Sequence, residues 1–123
     1  MWVFLKEGLL MPAAFPVGMV SKTVARKYEI QVRARSKMHL KLFCDKYMAA
    51  GTYSKIQATP AMDYEYRFYT TKVAFAAGIA RAIAAVDYEK FKPEATEPTY
   101  HSCLNQIWSV VYRYLSKDRS DVL

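Results

Sequence analysis

Three guanidinium groups, Arg33, Arg35 and Arg67, are the side chains of this sequence best equipped to hold a ligand. Each is permanently charged and presents a planar fork of donors that matches phosphate or carboxylate oxygens. The first two sit in a charge concentration. Between Ser21 and Lys46 the chain carries Lys22, Arg26, Lys27, Arg33, Arg35, Lys37, Lys41 and Lys46 against Glu29 and Asp45, which is six of the net +7. A concentrated field attracts polyanions or acidic protein surfaces, whereas the same charge spread evenly mainly aids solubility.

Covalent and metal chemistry find less support. Cys44 falls inside a helical pattern beside Lys41 and Asp45 with nothing to activate it, so it reads as a buried, inert thiol. Cys103, close to the apolar stripe of a later helix, reads the same way. His101 and Cys103 stand two residues apart on that helix and diverge by about 200°, and no C-x-x-C or H-x-x-x-H spacing joins them or His39 into a metal site. The carboxylates Asp63, Glu65, Asp87 and Glu89 have no histidine beside them in sequence. Gly8, Gly18, Gly51 and Gly78 are isolated, so no phosphate-cradling loop is formed. The expectation is a non-enzymatic protein with no catalytic residue, cofactor or metal.

Folded elements must place the arginines. Residues 2–7 read as a strand, and 9–15 as a second, which Pro12 and Pro16 demote to an edge strand or extended loop. Residues 17–26 read as a loop. From Tyr28 to Arg35 apolar and polar residues alternate: Tyr28, Ile30, Val32 and Ala34 face one way, Glu29, Gln31, Arg33 and Arg35 the other. Ser36 and Gly51 suit the cap positions of a helix over 37–49, with Met38, Leu42, Phe43 and Tyr47 inward and Lys37, Lys41 and Asp45 outward.

Strands over 53–59 and 64–70, joined by turn residues 59–63, form a hairpin. If Tyr64, Tyr66 and Phe68 are its buried set, Arg67 and Tyr69 share the open face of Arg33 and Arg35, and Trp2, Phe4 and Lys6 join them. Thr71 caps an alanine-rich helix over 72–86 that can lie close to a neighbour. A short turn through Phe91 and a linker at Lys92-Pro93 follow. Pro98 opens a last helix to about Ser116 with the stripe Tyr100, Leu104, Ile107, Trp108, Val111 and Leu115.

The predicted class is therefore α+β: a mainly antiparallel sheet of four to five strands with two to three helices on one face, compatible with a ferredoxin-like split βαβ unit. A chain of 123 residues fits one domain, read as 1–116 with a frayed tail over 117–123. The longest weakly charged run, 8–21, is too short and proline-broken to span a bilayer, and no basic region precedes the apolar start as a signal peptide requires. Two cysteines suit a reducing compartment, so the cytoplasm is expected.

Several short motifs give a resemblance. Met1-Trp2-Val3-Phe4 with Gly8, Val32-Arg33-Ala34-Arg35 leading to His39-Leu40, Asp63-Tyr64 with Arg67, the 87–92 segment DYEKFK, and Ile107-Trp108 with Val110-Val111-Tyr112 resemble a small family of bacterial and phage-borne proteins with no assigned activity. The resemblance implies a single compact cytosolic domain and transfers no catalytic residue. The proline-rich 10–17 segment and Lys90 depart from its pattern, which bears on the second strand.

Function is expected to lie in a basic sheet and helix surface that engages an anionic partner, with nucleic acid the leading class. Arg33, Arg35 and Arg67 would contact phosphate, Lys37 and Lys41 would add field strength, and Tyr69 would stack on a base. The alternative is a protein-interaction module or a phage- or bacteria-borne inhibitor that docks on an acidic host protein. A homodimer through the alanine-rich or the Trp108 helix is left open by the sequence.

Overall fold

The computed structural model describes residues 1–15, 18, 20–91, 94–95 and 97–122, with side chains to residue 116. The expected breaks at Pro16 and at Lys92-Pro93 lie outside the described residues. The chain divides into two compact units, Met1–Asp87 and Tyr88–Leu123.

In the first unit the order is β1 (Val3–Leu5), β2 (Gly8–Ala14), α1 (Lys22–Lys27), β3 (Ile30–Ala34), α2 (Lys37–Tyr47), β4 (Gln57–Ala58), β5 (Tyr66–Thr70) and α3 (Lys72–Ala84). The strands form one five-stranded sheet in the order β1-β2-β3-β5-β4, and every neighbouring pair is antiparallel. The mixed α+β class expected from the element order is what folds. Because β3 and β4 both run antiparallel to β5 between them, β3, α2 and β4 make a split βαβ unit.

Register explains the core. Val3 pairs with Leu10, Pro12 with Val32, and Val32 with Phe68, so one face of the sheet presents an apolar set from four strands. Leu10, Val32, Ala34 and Phe68 are fully buried there against Leu40, Phe43, Cys44 and Tyr47 of α2. The alternation read in Tyr28–Arg35 therefore holds in its parity over Ile30–Ala34, although Gln31 on the expected wet face is buried. The inward face of α2 is His39, Leu40, Phe43, Cys44 and Tyr47, with Met38 half exposed at 52%. That differs from the Met38–Leu42 reading because the apolar period is compatible with two faces one residue apart, and packing on β2 selects one.

Three further elements differ from expectation. β2 is an internal strand despite Pro12. β1 pairs only as far as Leu10, so beyond it β2 has a strand on one side alone. A proline nitrogen facing the unpaired side costs no ladder bond. Residues 22–27, read as loop, form α1, whose Ser21 hydroxyl accepts from the Val24 amide at 3.2 Å. Ser36 stands at the N-cap of α2 without making a side-chain cap bond.

α3 begins where Thr71 predicts it, the Thr71 hydroxyl accepting from the Ala74 amide at 3.2 Å. It is pinned to α2. A methyl added at Gly78 would stand 2.8 Å from Met48 Sδ and 3.2 Å from Phe43 Cζ, and Arg81 donates to the Tyr47 carbonyl at 2.6 Å. Small residues on that side of α3 are what allow the approach.

The second unit holds α4 (Pro98–Val122), which runs past Ser116. Tyr100 and Leu104 are buried, while Trp108, Val111 and Leu115 of the same stripe are exposed. Trp108 stacks on Tyr112 at 5.2 Å between ring centroids. Among the described residues no helix is long and apolar enough to cross a membrane.

The cysteines part company. Cys103 is exposed, contrary to its reading as a core thiol, because it lies off the Tyr100–Leu104 side of α4. Cys44 is buried, and burial followed by the neighbouring Asp45 charge pushes its thiol up from 9.0 to about 12. Ellman's reagent is expected to titrate one thiol per native chain and the second only after unfolding. Between those two pKa values the unfolded chain has lost a proton that the native chain keeps. Stability should therefore fall as pH rises from about 9 to 12, by at most about 1.4 kcal/mol per pH unit. A Cys44→Ala variant whose urea midpoint drops equally steeply over that range would refute this.

Candidate anion-binding site

The face of the sheet opposite α2 carries the arginines. Arg33 pairs directly with Arg67 across β3 and β5, and Gln31 with Tyr69. Both positions alternate with the buried Val32 and Phe68, so all four side chains, with Arg35 just beyond the end of β3, lie on the side away from α2. The parity expected for Arg33, Arg35, Arg67 and Tyr69 is thus correct. Their exposure is not uniform, however: Arg35 is exposed, Arg33 half-buried, Arg67 and Tyr69 buried.

Arg67 is the unusual group. It is 5% exposed and forms no ion pair among the described residues. Its Nη1 donates to Gln31 Oε1 at 2.8 Å and its Nη2 to the Tyr64 carbonyl at 3.0 Å, with Met62 Sδ 3.3 Å away. Gln31, 2% exposed, turns its amide nitrogen to the Ala14 carbonyl at 3.0 Å. Arg67 Nε is buried without a partner. The cation is held by neutral acceptors alone, which leaves its field uncancelled.

Arg33 and Arg35 converge on one ring. Their guanidinium carbons stand 4.6 and 5.3 Å from the Tyr64 centroid, within the range of cation–π attraction. Arg33 Nε also donates to the Met11 carbonyl at 3.2 Å. Neither arginine is in an ion pair among the described residues. Two like charges opposite each other on neighbouring strands ordinarily destabilise a sheet. Here carbonyls, an amide and a tyrosine face surround the charges.

Other expected members fall elsewhere. Lys41 lies on the solvent side of α2, across the sheet from the arginines, and is bound to Asp45 at 2.9 Å, which holds the ammonium ionised by hydrogen bond and charge. Lys37 is exposed at the start of α2, two residues from Arg35. Tyr69 is 8% exposed and meets Phe15 edge-on at 5.6 Å, so its ring is not presented as a stacking platform. Phe15, just beyond β2, lies against it, which strand alternation cannot foresee. Trp2, 62% exposed, meets Phe4 at 6.4 Å, and Phe4 is separated from β3 by the whole of β2.

Two participants were not legible as such. Tyr64 was expected in the buried set with Tyr66 and Phe68, but β5 starts at Tyr66, so alternation does not reach Tyr64 and its ring turns to the arginines. Gln31 was seen only as a wet-face residue, and a polar residue between two apolar neighbours was the available signal. Glu7 was also unanticipated. It is 2% exposed in the β1–β2 turn, accepting from Tyr47 Oη at 2.9 Å and Lys46 Nζ at 3.1 Å. The buried His39 accepts the Leu9 amide at Nδ1 over 3.2 Å. Among the described residues no three His, Cys, Asp or Glu side chains converge on a metal position.

No family model, curated protein or solved structure matches this chain. The functional reading therefore rests on the geometry just described.

Proposed function

We propose that the protein is a non-enzymatic binder of an anionic partner, nucleic acid first among the classes, through Arg33, Arg35 and Lys37 with Arg67 beneath them. The observation that carries the reading is a group of three neighbouring guanidiniums held only by neutral acceptors. Burying an uncompensated cation costs stability. A phosphate seated on Arg33 and Arg35 returns part of that cost through charge-assisted hydrogen bonds and through the field of Arg67. Cytoplasmic residence, with reduced cysteines, belongs to the same reading.

Lys41 is diverted to Asp45 and Arg67 is buried, so about three phosphates are neutralised on a single strand, for a log–log salt slope near −2. Fluorescence anisotropy with a labelled single-stranded oligonucleotide tests this. Arg35→Glu is expected to weaken binding at least about tenfold and to flatten the slope. Binding that ignores both salt and Arg35→Glu would sink the proposal.

A second reading draws on Tyr64 and Tyr69, whose rings are already occupied. A surface without a free ring beside its arginines suits the carboxylates of an acidic protein. Poly-glutamate that displaces the oligonucleotide at equal charge concentration favours this second reading.

A further inference from the structure

Between α3 and the sheet lies a groove of about 550 Å³ on the α2 side, opposite the arginines. Its walls are apolar: Ala14 and Ile30, paired in register across β2 and β3, face Ala76, Ile79 and Ala80 of α3. Cores normally fill such space to near crystal density. Two features of the chain keep it open. Three of the facing positions, Ala14, Ala76 and Ala80, are alanines, and α3 is drawn toward α2 by the Gly78 contact and the Arg81–Tyr47 hydrogen bond rather than over the sheet. The size falls within the range of small-ligand sites. From Lys72 to Ile83 the α3 wall extends for about 16 Å, an elongated shape.

Lys72 is the single charged side chain of the lining, and its ammonium is in no ion pair among the described residues. The nearby Glu29 carboxylate accepts the Lys72 backbone amide at 3.1 Å. We propose that this groove binds the chain of a lipid-like monocarboxylate, with the carboxylate on Lys72 and the acyl chain along Ala76, Ile79 and Ala80. An apolar trough with a cation at one end is complementary to an amphipathic anion and to neither a free phosphate nor a polar metabolite. The site is separate from the arginine face, so it stands or falls independently of the function proposed above.

Calorimetric titration of the full chain with laurate below its micellar range and with lauryl alcohol below its solubility limit tests it. One laurate per chain is expected. Ala80→Phe, which fills the groove from an exposed position, should weaken both ligands at least about tenfold while leaving the urea midpoint unchanged. Lys72→Glu should weaken laurate by a similar factor and lauryl alcohol by less than about twofold. Three outcomes overturn the proposal: no laurate binding at about 1 mM, binding indifferent to Ala80→Phe, or a dimer in solution whose groove resonances shift with protein concentration instead of with laurate.

Discussion

Gln31→Leu alone is expected to destabilise the fold by about 3 kcal/mol, whereas Gln31→Leu combined with Arg67→Met should leave the protein more stable than the parent by about 1 kcal/mol or more. The single change removes the Oε1 acceptor of a guanidinium that is already 95% shielded and already has an unpartnered Nε. A buried charge then loses one of its few hydrogen bonds. The double change withdraws charge and acceptor together and puts apolar volume in their place. The same pair is expected to weaken oligonucleotide binding, because a cation has gone from beneath Arg33. Urea unfolding and anisotropy on the same samples check both halves. A double variant that is both less stable and equally tight would mean that Arg67 is a structural group only.

Gly8→Ala is expected to cost about 2–4 kcal/mol. Gly8 has φ 154° and backs directly onto His39, whose Cβ and ring carbons occupy the space that a methyl would need. His39 cannot yield freely, since its Nδ1 holds the Leu9 amide and its helix packs on β2. Either the β1–β2 turn or α2 must shift, and the neighbouring Glu7–Tyr47 hydrogen bond spans the same junction. A double-mutant cycle makes the claim specific. In a His39→Gly background neither the Cβ nor the ring remains to clash, and Gly8→Ala should cost less than half as much. Equal costs in both backgrounds would show that the backbone angle, not the ring, is responsible.

Much of the frame was legible from local pattern. Alternation in Ile30–Ala34 set the faces of the sheet's central strand, Thr71 marked the start of α3, and Pro98 that of α4. The turn chemistry of 59–63 announced the β4–β5 hairpin, which pairs through Gln57–Arg67 and Ala58–Tyr66. These signals act over a few residues, so they survive without knowledge of neighbours. The edge-strand reading of 9–15 failed because an internal strand tolerates proline wherever its nitrogen meets no partner, and that depends on where β1 stops.

The α+β class, the concentration of cations in 21–46 and the parity that puts Arg33, Arg35 and Arg67 on one side of the sheet are written in the chain. Those follow from composition and from the two-residue repeat of a strand. Which of the cations remain accessible is a matter of packing. Accessibility depends on segments distant in the chain, here Gln31 and Phe15, closing over Arg67 and Tyr69. Alternation fixes a direction, but burial is a property of whatever else arrives there, and no local pattern encodes that.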